Sequence, residues 1–291
     1  SILKRTVEEM GNTVTVERVE LGGDADLPHA DFVYMGAGTE RAQKAALLYF
    51  SKLGDVVKAA ADAGVTMLFA GNSMELLGKT ITDDAGKVYE GLGLADFTAV
   101  QNKKRFVEDV YGHTDLYEDA VVGFINRCSV ITGVETPLLT SMDMGHGNEG
   151  PCGPEGYHQG SVFASQLTGP ILVKNPALLK IVVQAIYRHR GETCPEIPVD
   201  QYMAEGWAIT AEQLKARCTK PMTGPSAKAA TARCAVLFCI LIVQFTIPRT
   251  GPGLRWLCGA HPRSRCHPPC CQGPPWYRRN PHGTCCSDFP R

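Results

Sequence analysis

The sequence predicts an α/β fold of the doubly wound type, and three neighbouring stretches carry that expectation. Val65–Ala70 is a continuous apolar run, the pattern of a parallel strand buried on both faces. Ahead of it, Arg41–Ala63 has the apolar spacing of one long amphipathic helix, closed by Gly64. Earlier still, Asp31–Met35 is a short apolar strand running into Gly36-Ala37-Gly38. Strand, helix and strand in that order describe a parallel sheet crossed by helices.

The remaining elements follow in order. Ser1–Gly11 places Ile2, Leu3, Val7 and Met10 at helical spacing before a glycine stop. Thr13–Leu21 alternates Val14, Val16 and Val19 with polar neighbours and reads as a strand. The buried strand breaks at Gly71-Asn72-Ser73 into a short helical piece, Met74–Leu77. Within 80–170 the segments are shorter, with Ala120–Ile125 and Ser161–Gln166 as strands and the glycine-rich Met142–Gly160 as a long loop. Asn175–Arg190 reads as a helix, with Pro176 in its first turn and basic residues at its C-terminal end. Domains of this type open on a central strand. This chain opens inside a helix without a methionine, so its N-terminus reads as truncated.

The chain has 291 residues, 44% hydrophobic and 20% charged, which excludes wholesale disorder and collagen-like repetition. Its net charge of −1 conceals a division: residues 223–291 hold Lys228, eight Arg and a single acid, Asp288, for a net +8 against −9 in residues 1–222. The cysteines divide likewise, with Cys128, Cys152, Cys194 and Cys218 in the acidic part and eight more beyond it. Sparse thiols and no signal peptide fit a cytoplasmic protein. The longest apolar run, Ala235–Ile247, is too short to span a bilayer. Neither membrane nor nucleic acid is an expected partner, and no metal site is expected in the body.

From about Thr223 the composition becomes rich in Arg, Pro and Cys. This stretch is expected to be unstructured. Its residue mixture is what GC-rich DNA yields when read out of frame; ordinary disorder is a second reading. A zinc module using these cysteines with His261, His267 and His282 is a third, although the adjacent Cys270-Cys271 and Cys285-Cys286 pairs do not suit one tetrahedral site.

A buried strand turning sharply into a helix is where α/β enzymes mount a nucleophile, because the turn projects one side chain above the sheet and the helix N-terminus stabilises an oxyanion. Here that unit is Val65–Gly78. It resembles the elbow of the CobB/CobQ-like class I glutamine amidotransferases, Cys-Gly-Gly-(Tyr/Phe)-Gln-(Leu/Met)-Leu-Gly. Aligned on Leu76-Leu77-Gly78, the nucleophile position falls on Gly71, the two elbow glycines on Asn72 and Ser73, and the glutamine on Glu75.

Further segments extend the resemblance over about residues 2–192. Gly36-Ala37-Gly38-Thr39-Glu40-Arg41-Ala42-Gln43 is similar to the family's Gly-Gly-Gly-Gln-Asp-x-x-Gln loop, whose backbone amide helps build the oxyanion hole. Gly123-Phe124-Ile125-Asn126-Arg127 is similar to Gly-Phe-Glu-Asn-His, and Gly145–Gly150 to its glycine-rich loop. Ser161–Pro176 matches Gly-Thr-Tyr-Leu-His-Gly-Pro-x-Leu-x-Lys-Asn-Pro, with Thr168 at the catalytic histidine. The Gly-Phe-x-Asn and Lys-Asn-Pro segments belong to the branch of the glutaminase subunit of lipid II isoglutaminyl synthase.

The resemblance implies a three-layer sandwich with a mostly parallel central sheet, spanning residues 1–200 with an extension at 201–222. It implies glutamine hydrolysis through a cysteinyl thioester, with ammonia passed to a Mur-ligase-like synthetase partner that amidates the D-glutamate of lipid II. ATP and metal belong to that partner, so no cofactor is expected here. Both reacting side chains are absent: Gly71 and Thr168 stand in their places, and glycine cannot attack an amide. Arg105, in the basic segment Asn102–Val110, is the match for a glutamine-contacting residue, its planar fork suiting a carboxylate; the plain alternative is a solvated strand end. Gly38 and Asn72 complete the substrate-side candidates.

Ser73 in Gly71-Asn72-Ser73-Met74-Glu75 loosely mimics a hydrolase elbow but is better placed as a helix N-cap. Cys128 and Cys152 read as incidental thiols, and His113, His146 and His158 as solvated loop residues. Three readings stay open: a decayed gene product, a pseudo-glutaminase that docks a synthetase, or an active relative such as a cobyric acid synthase-type amidase domain or a Ser73 hydrolase.

Overall fold

The computed structural model describes residues 1–20, 26–50, 54–218 and the backbone of Ile240–Thr246. The chain opens with helix α1 (Ile2–Glu9), its first turn capped by the Ser1 hydroxyl, which accepts the Lys4 amide. Strands β1 (Thr13–Val19) and β2 (Phe32–Met35) follow. The single helix expected over 41–63 is two helices, α2 (Glu40–Phe50) and α3 (Gly54–Asp62); residues 51–53 lie outside the described residues. Strand β3 (Thr66–Ala70) is buried at every position and passes directly into a 3₁₀ turn, Gly71–Leu77.

The central segment departs from the short strands expected of it. After β4 (Thr80–Thr82) and β5 (Val88–Glu90), two long strands, β6 (Thr98–Thr114) and β7 (Tyr117–Thr132), form one antiparallel hairpin. The hairpin register breaks between Gln101 and Phe106: residues 102–105 of β6 face Cys128 alone on β7. This bulge interrupts the alternation that would have marked a long strand and throws Arg105 out of the ladder. The glycine-rich segment expected to be all loop holds β8 (Ser141–Met144), which pairs with β6, and β9 (Tyr157–Gln159). Strand β10 (Val162–Ser165), short helix α4 (Ile171–Lys174), and helices α5 (Pro176–His189) and α6 (Gln201–Cys218) complete this part. The last described element is strand β11 (Ile240–Thr246).

One sheet has the order β1-β11-β2-β3-β10-β9. Its centre, β2-β3-β10, is parallel, and the pairings outside it are antiparallel. Alternate strand residues point to opposite faces. Phe32, Leu68, Ala70 and Phe163 pack with α1, α4 and α5 (Leu3, Ile171, Val182, Ile186). Val33, Met67, Phe69 and Ala164 pack with α2 and α3 (Ala46, Leu47, Val57, Ala60). The result is helices, sheet and helices, the three-layer arrangement expected of the chain. The β6–β7 hairpin belongs to a second sheet, β5-β4-β6-β7, and contributes Val110, Val121 and Ile125 to the first core and Ala99 and Ile131 to the second. Helix α6, within the expected extension, packs Ala211 and Leu214 on Tyr111, Ala120 and Val122, while Trp207 Nε1 donates to the Ala120 carbonyl at 2.9 Å.

Strand β11 lies within the stretch expected to be unstructured. It pairs with β1 along its whole length and with β2 through Ile240–Val243. Its Ile-Leu-Ile-Val run is rich in β-branched residues, which supplies the physical reason for the pairing. The remainder of 223–291, including every cysteine and histidine of the zinc reading, lies outside the described residues.

Candidate functional site

The site lies where the three parallel strands end. In open α/β sheets the crevice at the carboxyl ends of the strands is where loops from neighbouring strands meet. Here those loops are Gly36–Thr39 after β2, the turn beginning at Gly71 after β3, and Gln166–Pro170 after β10.

Ala70 is extended, at φ −116° and ψ 139°, and Gly71 then enters the left-handed region at φ +68°. The reversal is held by the Gly71 amide, which donates to the Leu167 carbonyl at 3.1 Å. A Cβ at position 71 would stand 3.4 Å from Thr168 Cγ2, so the two aligned family positions are van der Waals neighbours. It would also stand 2.5 Å from the Ala37 Cβ, closer than real contacts permit. Ala37 thus fills the space a nucleophile's stem would need. Thr168 is turned to the hairpin: its amide and Oγ1 both donate to the Phe124 carbonyl, at 2.8 and 3.1 Å.

Gly38 and Asn72 meet directly. The Gly38 amide donates to Asn72 Oδ1 at 3.0 Å, and Asn72 Nδ2 donates to the Gly38 carbonyl at 3.0 Å. The Gly38 amide is thereby occupied by the Asn72 side chain. Ser73 is fully buried and its hydroxyl is directed at the Met35 and Ala70 carbonyls, 2.8 and 2.9 Å away. It does not cap the turn, which corrects the N-cap reading: the cap position is Ala70, with no side-chain bond.

Beneath the turn lies a buried polar cluster that joins Glu75 and Gln43, both within matched segments, to Gln101 and Ser129, which the sequence did not point to. Glu75 is 1% exposed and accepts from Gln43 Nε2 (2.9 Å), Gln101 Nε2 (2.8 Å) and Ser129 Oγ (2.7 Å). Gln43 Nε2 also donates to the Asn72 carbonyl at 2.6 Å, tying α2 to the elbow. The available signal was an acidic residue inside the apolar run Met74–Leu77.

Arg105 is exposed on the β6 bulge, yet each guanidinium nitrogen is engaged. Nη1 reaches Glu40 Oε1 at 2.6 Å, Nε reaches Asn126 Oδ1 at 2.9 Å, and Nη2 reaches the Asn126 carbonyl at 3.0 Å. Burial pushes the Glu40 carboxyl up. The Arg105 hydrogen bond, the residue's own backbone amide and the Arg105 charge outweigh that and hold it below the ordinary value. Cys128 points its thiol at the same carboxyl, 3.5 Å away, and burial with the neighbouring Glu40 and Glu75 pushes it up to about 12. Such a thiol is inert as a nucleophile.

Of the three histidines read as solvated loop residues, His113 lies in β6 and His158 in β9, and all three have partners. His113 faces Asp143 at 3.2 Å, His146 faces Glu108 at 3.2 Å, and His158 faces the Val162 carbonyl while stacking on Phe163. Among the described residues no three His, Cys, Asp or Glu side chains are grouped to hold a metal. Among them also, no helix is long and apolar enough to cross a membrane.

The parallel strands, the left-handed residue at the end of the central one, and the two loops closing over it define an α/β protein with a nucleophile-elbow frame. The chain belongs to the CobB/CobQ-like glutamine amidotransferase domain family, whose profile matches residues 1–176. It is 30% identical over 203 residues to the lipid II isoglutaminyl synthase (glutamine-hydrolyzing) subunit GatD of Streptococcus pneumoniae, covering 66% of this chain and 75% of that one. It is 25% identical over 189 residues to the subunit of the same name from Staphylococcus aureus, covering 65% and 77%. A crystal structure of a glutamine amidotransferase superposes with a TM-score of 0.41 at 18% identity, covering 63% of this chain and 91% of that one.

Proposed function

We propose that this chain is a glutamine amidotransferase domain that does not hydrolyse glutamine and that acts as a cytoplasmic docking subunit for a Mur-ligase-like synthetase. One observation carries the reading. The positions matching the family's nucleophile and histidine are adjacent, with Thr168 Cγ2 3.4 Å from a Cβ built at Gly71, yet neither holds a thiol or an imidazole. Acyl transfer needs a nucleophile and a base in hydrogen-bond reach. The relatives support the docking half, each being named a glutamine-hydrolysing subunit of a lipid II isoglutaminyl synthase; in this reading the amide acceptor is the D-glutamate of lipid II. Arg105, Gly38 and Asn72 then serve as frame residues on the substrate side.

The test has two arms on the full chain. Ammonia release from glutamine should not exceed a no-enzyme control; release above it overturns the catalytic half of the proposal. Coexpression with a Mur-ligase-like synthetase from the same genome should give a complex on size exclusion. Two separate peaks at micromolar concentration overturn the docking half.

A further inference from the structure

We propose that Cys152 and Cys218 are a reversible redox pair: a hydroperoxide oxidises Cys152, and Cys218 then closes a disulfide between the glycine-rich loop and helix α6. Two contact paths bring the residues together. On the first, Cys218 at the end of α6 and Met144 at the end of β8 pack on one small cluster with Tyr111, Ala120 and Leu214. The residue after Met144 is Gly145, whose carbonyl accepts the Cys152 amide at 2.8 Å. On the second, Arg217 donates to Asp109 Oδ2 at 2.5 Å. The Asp109 carbonyl oxygen stands 3.0 Å from a Cβ built at Gly145. Both paths therefore run from the last turn of α6 to the residue that holds Cys152.

The two thiols are suited to different steps. Cys152 is exposed, whereas Cys218 is partly buried. Among the described residues Cys152 is also the only non-glycine residue in the left-handed region, at φ 52°. It sits in Gly150-Pro151-Cys152-Gly153-Pro154, where the flanking prolines limit the turn's alternatives. A side chain kept in that conformation points to a constraint beyond the turn itself. Burial, then the charges of Asp143 and Cys152, pushes the Cys218 thiol above its ordinary value. Cys152 is accordingly the attacking thiol and Cys218 the resolving one.

The chemistry balances without a metal or cofactor. The Cys152 thiolate attacks one peroxide oxygen, the O–O bond breaks, and the other oxygen leaves as an alcohol or water, leaving a sulfenic acid. The Cys218 sulfur then attacks the sulfenyl sulfur; the S–S bond forms, the S–O bond breaks, and water carries away the hydroxyl and the remaining thiol proton. The thiols lose a pair of electrons and the peroxide gains it. In a reducing compartment the bond is transient.

The test treats the full chain with hydrogen peroxide, blocks free thiols, and digests with trypsin and Glu-C in the absence of reductant. The diagnostic product is peptide 150–155 joined to peptide 218–228, each holding a single cysteine. It should be the main oxidised form of Cys152 and should vanish with dithiothreitol. In Cys218→Ser, Cys152 should stop at the sulfenic acid and take up dimedone about tenfold more than in the unsubstituted chain. Cys152 joined chiefly to any other cysteine, or equal dimedone uptake by the two chains, overturns the proposal. So does the same product formed as abundantly in denaturant, because the fold would then contribute nothing to the pairing.

Discussion

Asn72 holds Gly38 by both of its backbone polar groups, the amide donating to Oδ1 and Nδ2 donating to the carbonyl, each at 3.0 Å. A glycine at position 72 would leave that amide without this partner. The side chain therefore ties the β2 loop to the elbow.

Removing that tie should be measurable. Asn72→Ala deletes two partly buried hydrogen bonds, each contributing about 0.5–1.5 kcal/mol. The expected loss is about 1–3 kcal/mol in chemical denaturation of the full chain. A loss below about 0.5 kcal/mol would mean that water replaces the side chain without cost.

Restoring the reacting groups should require a third change. Gly71→Cys places a Cβ 2.5 Å from the Ala37 Cβ and forces a side chain onto a left-handed residue, a strain of about 1–2 kcal/mol. Overpacking adds about 1–3 kcal/mol, and Ala37→Gly should remove that share. A double-mutant cycle should give a favourable coupling above about 1 kcal/mol between the two substitutions. Labelling of the new thiol by a glutamine-mimicking electrophile should be faster in G71C/T168H/A37G than in G71C/T168H. Strict additivity would show that Ala37 does not contact the nucleophile position.

Acid should weaken the Arg105–Glu40 contact. Because the folded Glu40 titrates below its ordinary value, its contribution is present above that value and is lost as pH falls through the folded one. In Arg105→Ala the carboxyl should titrate higher, and less stability should be lost between about pH 5 and pH 3. Both side chains are partly exposed, 42% and 33%, so the effect is small and falls further with added salt. Parallel stability–pH curves for the two proteins would remove Arg105 as the cause.

The thiols should differ sharply in reactivity. Cys128 is buried with its pKa pushed up to about 12, while Cys152 is exposed. Iodoacetamide at about pH 8 should modify Cys152 at least a hundredfold faster, read by peptide mass spectrometry, since the thiolate is the reacting form. Comparable rates would show that the β6 bulge opens readily.

The strands that carry the site were legible because each is a short apolar run next to glycine: Phe32–Met35 ahead of Gly36, and Thr66–Ala70 ahead of Gly71. Helix α5 was legible from Pro176 and its apolar spacing, and the structure ends it at His189. The long hairpin was not, because residues 102–105 interrupt its alternation with consecutive polar side chains. Ala37 could not be weighed from sequence, since its effect depends on an approach between loops 34 residues apart. Glu40 likewise gains its meaning from Arg105, 65 positions away, and Asn126. The Ile240–Thr246 strand was hidden by its neighbours' composition rather than by its own.

The place of β11 in the sheet also sets a timetable for synthesis. Strand β2 ends at Met35, but the strand lying between it and β1 begins at Ile240. At about 5–20 residues per second, a ribosome takes roughly 10–40 s to travel between them. Throughout that interval the nascent chain carries two unsatisfied strand edges. The yield of native protein should therefore depend on translation speed and on chaperones that shield the emerging chain, more steeply than its size alone suggests.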